Sequence, residues 1–182
     1  MNEDIIYIAQ FLDGKEQGFD MLVKKYQNRV LNIVYSLIGR DRESEDIAQE
    51  VFLKVYHNLS SFKQHSRFST WLYRITVNTV YDFLRKRKNI VTTDNVIEEK
   101  ENNPENYYDR LIARERKTIV QKAIERVPLK YRAAVILKDI EGLSYVEISD
   151  VLHCSIGTVE SRIYRARQAL KDELLKLEGG AL

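Results

Sequence analysis

The chain has 182 residues and a net charge of +2, with 44% hydrophobic and 31% charged side chains, enough for one domain or two small ones. No apolar run approaches the roughly 20 residues that span a bilayer, and the N-terminus lacks the basic-then-apolar order of a secretory signal. The single cysteine, Cys154, excludes an intrachain disulfide, so a soluble cytoplasmic protein without membrane insertion is expected.

Apolar spacing predicts a first helix over about Glu3 to Leu12 and a longer one over about Gln17 to Ile38, stopped by Gly39. Two prolines and seven glycines in the whole chain suit this helical reading. A third helix, about Ser44 to Asn58, has Ile47, Val51, Phe52 and Val55 as its apolar stripe. Its beginning is acidic, with Asp41, Glu43, Glu45, Asp46 and Glu50, and Gln49 among them. Such a surface repels DNA and suits a basic protein partner. Acids also stabilise any helix N-terminus through the backbone dipole, and on the residues alone that account is sufficient.

A fourth helix, about Ser69 to Lys86, is predicted to bury Leu72, Ile75, Thr79 and Phe83. Arg74, Asn78, Tyr81 and Arg85 fall on another stripe, while Phe68, Trp71 and Tyr73 lie at its start. Cations among aromatics suit unstacked single-stranded bases: rings stack on base faces and arginines hold the backbone. The polar loop before it, Asn58 to Arg67, is suited to line a pocket for an extruded base. Trp71 and Phe83 fit a core better than a base platform, so this expectation rests on the Arg/Asn/Tyr stripe.

Arg85 to Lys88 are four consecutive cations, and from Asn89 to Asn103 the periodicity fails as Asn, Asp, Glu and Thr accumulate. A flexible acidic linker is expected there. Asn103-Pro104 restarts helix, giving predicted helices over about Pro104 to Arg126 and Leu129 to Glu141, punctuated by Pro128 and Gly142. Two cationic surfaces separated by an acidic connector suggest two contacts along one polyanion.

From Gly142 the pattern is a short helix, a tight turn and a second helix. The first, about Ser144 to Leu152, offers Ile148, Val151 and Leu152 as an apolar ridge. In the second, drawn at about 100° per residue, Ile156, Val159, Ile163, Ala166 and Leu170 share one side. Thr158, Ser161, Tyr164, Arg165 and Gln168 point the other way, with Arg162 nearby. Hydroxyls, an amide, a phenol and guanidinium groups are the side chains that read base edges and phosphates in a major groove. This is a helix-turn-helix pattern, and DNA is the leading ligand. A helix-turn-helix repressor acting alone would leave the acidic helix and the Phe68 to Arg85 segment without a role. An enzyme is disfavoured: three histidines and one cysteine form no ligand or nucleophile grouping, and no metal or cofactor is expected.

Three stretches in this order carry a family likeness: Glu45 to Phe52 (EDIAQEVF), Phe68 to Thr79 (FSTWLYRITVNT), and Gly142 to Ile148 (GLSYVEI) with Gly157 to Arg167 (GTVESRIYRAR). Together they resemble the extracytoplasmic-function (ECF) sigma factors of bacterial RNA polymerase. The resemblance implies an all-α fold of two small domains. These would be a sigma-2 unit over residues 1–88 and a sigma-4 unit over 104–178, with 89–103 as the linker. It implies binding to core RNA polymerase at the largest-subunit coiled coil and the flap, recognition of −10 and −35 promoter DNA, and duplex opening. An anti-sigma factor is the usual further partner of this family. Carried onto this chain, Asp46, Gln49, Glu50 and Phe52 would dock on polymerase. Ser60, Ser61, Phe62 and Phe68 of the loop, with Asn78, would capture a flipped −10 base, while Arg74, Arg85 and Lys86 hold nearby backbone. Ser161, Tyr164 and Arg165 would meet −35 bases, with Thr158, Arg162 and Arg167 on phosphates. Glu160 stands where relatives often carry a cation, which puts the −35 sequence in question.

Overall fold

The computed structural model describes residues 3–39, 42–91 and 119–179. Every regular element among the described residues is helical, as the spacing predicts. In the first half, α1 (Glu3–Leu12) lies on α2 (Gln17–Ile38), and α2 packs in turn on α3 (Arg42–Asn58) and α4 (Phe68–Val91). The α1/α2 approach is close because Gly18 has no side chain: a Cβ there would collide with the Tyr7 carbonyl oxygen and the Phe11 backbone nitrogen. The buried Asp4 carboxylate ties the pair, accepting from Tyr26 Oη at 2.8 Å and Lys25 Nζ at 2.7 Å.

Two helices run past their predicted ends. Helix α3 begins at Arg42, and the buried Ser44 hydroxyl donates to the Gly39 carbonyl at 2.7 Å rather than starting the helix. Helix α4 continues to Val91, beyond Lys86 and into the segment expected as linker. Lysine and arginine are good helix formers and stabilise a helix C-terminus, and Arg87 is anchored to the Glu43 carboxylate at 3.2 Å. The remainder of the expected linker, and the expected helix from Pro104 as far as residue 118, lie outside the described residues.

In the second half, a helix is seen over 119–126 (α5), followed by α6 (Leu129–Val135). The predicted continuation to Glu141 is a wide π-turn, Ile136–Ile140, in which Glu141 N–H donates to the Ile136 carbonyl. Ala133 to Leu137 are five consecutive buried residues. A regular α-helix cannot turn five in a row to one side, so burying all of them requires neighbours on several sides. Helix α7 (Tyr145–Leu152) starts with a capping box: Ser144 Oγ accepts from the Glu147 N–H, and Glu147 accepts from the Ser144 N–H at 2.9 Å. His153 closes it in the left-handed region at φ 47°, and α8 (Ile156–Gly179) follows.

The halves also touch, which the sequence did not predict. Helix α4 packs on α7 as extensively as on α3, and α2 meets α6. Buried side chains from both halves form one continuous apolar cluster.

Candidate nucleic-acid and polymerase interfaces

Helix α8 presents its two faces as its spacing requires. Val159, Ile163 and Ala166 are buried, although Ile156, expected with them, is exposed at the helix start. On the opposite side Ser161, Tyr164, Arg165 and Gln168 are exposed, Tyr164 by 67%. Thr158 sits at the rim, its hydroxyl 2.9 Å from that of Ser155, and Ser161 donates to the Thr158 carbonyl. The outward surface is therefore a hydroxyl pair, a phenol and an amide around one guanidinium.

The three arginines of α8 have different surroundings. Arg165 donates to Tyr131 Oη at 3.1 Å, with its guanidinium carbon 5.8 Å from that ring's centre. This hydrogen bond, together with Lys130, holds the Tyr131 phenol below its ordinary range. Tyr131 is a residue that sequence reasoning missed; it lies 34 positions from Arg165 with no shared periodicity. Arg167, expected on phosphates, instead makes a two-pronged contact with Asp139 at 3.1 and 2.6 Å. It straps α8 to the π-turn. Arg162, likewise expected on phosphates, is half-buried and lies near Tyr81 of α4.

Helix α4 is buried on most of its circumference, by Leu72, Tyr73, Thr76, Val77, Thr79 and Val80. What remains outward is Asn78, Arg85 and Lys86, with Arg74 half-buried on the same stripe. Asp82 sits among them and pairs with Arg85 at 2.9 Å, which tempers the local positive field. Tyr81 does not belong to this stripe. Burial pushes its phenol up, and it faces Arg162, Cys154 and Arg132 of the second half. Ile75 and Phe83, expected in the core, are only partly covered.

The loop before α4 packs on the start of that helix. Ser60 and Ser61 are exposed on a single 3-10 turn anchored by the fully buried Leu59. Ser61 Oγ donates to the Asn58 carbonyl at 2.6 Å. Phe62 is half-buried, its ring 5.7 Å from Phe68 and 5.4 Å from Trp71. Phe68, expected to touch a base, is only 2% exposed and packs edge-on against Tyr26. It forms the floor under the loop rather than its surface, because an aromatic at the first turn of a helix wedged between α2 and the loop has no route to solvent.

On α3, Asp46, Gln49 and Glu50 are exposed and Phe52 is half-buried. The structure adds two apolar side chains to this face: Leu53, 60% exposed, and Tyr56, 40% exposed. Leu53 is seven residues from Asp46 and so projects from the same side of α3. The Tyr56 ring packs edge-on against Phe11 and Phe19, which joins α1 and α2 to the patch. An exposed leucine among carboxylates fits a protein partner better than solvent. The sequence signal was available, since position 53 breaks the apolar stripe, but a single leucine off-stripe is ordinary on most helices.

Comparison with known proteins matches these regions. Residues 22–90 match the Sigma-70 region 2 family and residues 117–170 the Sigma-70 region 4 family. The chain is 35% identical to the ECF RNA polymerase sigma factor SigW of Bacillus subtilis, over 93% of this chain and 96% of that protein. It is also 35% identical to the ECF RNA polymerase sigma-E factor of Escherichia coli K12, over 96% and 95%. Among solved structures, the sigma factor RpoE bound to the anti-sigma factor NepR, from Bartonella quintana, is 29% identical. It covers 87% of this chain and 96% of its own, with a TM-score of 0.73. CnrH in complex with the cytosolic domain of CnrY is 25% identical, covering 95% and 97%, with a TM-score of 0.72.

Proposed function

The chain belongs to the ECF sigma factors of the sigma-70 family, and on that footing we propose which of its residues do the work. As a member it is an alternative sigma factor that binds core RNA polymerase and directs promoter-specific transcription initiation, and it is not itself an enzyme. It acts where the polymerase acts, in the cytoplasm, and no described helix is long and apolar enough to cross a membrane.

We assign −35 reading to Ser161, Tyr164 and Arg165 on the outer face of α8, with Thr158 at the backbone. Arg162 stands behind them, half-buried near Tyr81, and Arg167 supports the helix through Asp139. Capture of an extruded −10 base falls to Asn78 with Ser60, Ser61 and Phe62, over the Phe68 floor, while Arg74, Arg85 and Lys86 hold the strand. Asp46, Gln49, Glu50 and Phe52, extended by Leu53 and Tyr56, form the docking face for the polymerase coiled coil. The flap would receive the second half. The observation that supports this reading is that Asn78 and Arg85 are exposed and Arg74 half-exposed along one stripe of a helix whose opposite sides carry the core.

Polymerase supplies the chemistry, and this chain supplies two moderate DNA contacts made strong by tethering. Trapping an unstacked base offsets part of the few kcal/mol that unstacking costs. RpoE has been solved with the anti-sigma factor NepR and CnrH with the cytosolic domain of CnrY, and we propose an anti-sigma factor for this chain too, able to hold it near the membrane. The test of the assignment is in vitro transcription from a random promoter library with purified core enzyme. Initiation from one sequence class is expected, and Asn78→Ala should bind core normally yet open promoters poorly. Failure of the wild type to start any transcript would overturn the reading; wild-type opening by Asn78→Ala would remove that residue from the site.

A further inference from the structure

The first turns of a recognition helix are the part that meets base edges in a major groove. From Ile156 to Ser161, where α8 begins, the one charged side chain is Glu160, and it is exposed. At about 100° per residue it stands about 40° from Tyr164, on the edge of the outward face away from Arg165.

Nothing around Glu160 neutralises it. The positions three and four residues away, where a cation would offset it, are Ile156, Gly157, Ile163 and Tyr164. Arg167, two turns on along the same edge, is held by Asp139 at 3.1 and 2.6 Å. Arg165, toward the other edge, is held by Tyr131. Among the described residues the Glu160 carboxylate makes no hydrogen bond or ion pair. The approach to it is open: Ile156 is 44% exposed one turn earlier, and a Cβ added at Gly157 would meet nothing within 4 Å.

A bare carboxylate in that place discriminates by what it can accept from. Phosphates repel it, and so do the acceptor atoms of the groove: guanine O6 and N7, adenine N7 and thymine O4. The donors are the amino groups at cytosine N4 and adenine N6, and on adenine the N7 acceptor lies beside the donor. Cytosine N4 is therefore the edge that suits Glu160 best. Glu160 and Arg165 are five residues apart, about 7.5 Å along the helix axis at about 1.5 Å per residue. That is about two base pairs at about 3.4 Å each, so the two side chains read different pairs.

We propose that Glu160 is a specificity-determining residue of the −35 contact, accepting from the N4 amino group of a cytosine about two base pairs from the one that Arg165 reads. The proposal rests on α8 being the −35 helix. It makes the acid a selector: a promoter with another base there leaves the charge without a donor, and that loss exceeds the gain on the right sequence.

The experiment uses holoenzyme assembled from core polymerase and the full chain, transcribing a promoter library randomised over the −35 element. The wild type is expected to enrich cytosine at one position by about tenfold. Glu160→Gln, whose amide pairs with adenine N6 and N7, should exchange that cytosine for adenine. Glu160→Lys should exchange it for guanine, and in both variants the other positions should keep their preferences. A wild-type consensus without such a cytosine, or one consensus shared by all three proteins, would overturn the proposal. So would a gain by Glu160→Gln spread evenly over every sequence, which is the mark of a carboxylate that only repels phosphate. A wild-type holoenzyme that starts no transcript would sink the sigma-factor reading instead. Selection of random duplexes by the full chain without polymerase would then decide Glu160 by the same exchange of bases.

Discussion

At the scale of single residues, the outer face of α8 separates its arginines by their neighbours. Arg165 keeps its planar fork ready because Tyr131 holds one nitrogen and offers its ring to the guanidinium. A preorganised guanidinium loses less freedom when it meets a guanine edge. Arg165→Ala is therefore expected to weaken −35 duplex binding by about 1–3 kcal/mol and to relax preference at one base pair. Anisotropy titrations over a set of single-base operator variants measure both. An equal loss on every duplex would reassign Arg165 to phosphate. Arg167, the same residue type two positions on, is committed to Asp139, so identity and spacing in the helix do not distinguish the two.

At the scale of elements, the short α7 depends on its cap. Eight residues are too few for a helix to stand on propensity alone. The Ser144–Glu147 box supplies the missing N-terminal partners. The backbone N–H of Ser144, with smaller help from its hydroxyl and from Arg67, holds the Glu147 carboxyl below its ordinary value of 4.5. A carboxyl lowered by folding stabilises the folded state above that ordinary value. The contribution is lost as pH falls through the lowered one. Glu147→Gln keeps the shape and removes the charge, so its Tm should sit about 2–4 °C below wild type at pH 7. The gap should narrow as pH falls below that ordinary value. A gap independent of pH, read by circular dichroism melts, would show that ionisation of Glu147 does not support the cap.

For the whole molecule, one apolar cluster runs through both halves although the chain reads as two units with a connector between them. Cooperativity follows contact rather than chain order. Calorimetry is expected to show a single unfolding transition for the wild type and two for a Glu141→Lys variant, which loses the hydrogen bond that Tyr73 of α4 donates to Glu141 at 2.9 Å. Two transitions in the wild type would mean that the α4/α7 contact adds little stability. The α3 face behaves oppositely: Leu53 and Tyr56 stay uncovered, open to a partner from outside the chain.

Helix positions, the two faces of α8 and the Arg74/Asn78/Arg85 stripe could all be read in advance, because each follows from spacing of three to seven residues along one element. Tyr81 and Phe68 were misplaced on the DNA side, and Leu53 and Tyr131 were passed over, because each depends on which element arrives beside it. Val77 and Val80, on further sides of α4, were the one local hint that this helix is covered from several directions. Partners 68 and 95 positions apart, Tyr73 with Glu141 and Leu37 with Arg132, meet only because packing brings them together. Periodicity along a helix says that a face must be covered, and three-dimensional packing alone says by what.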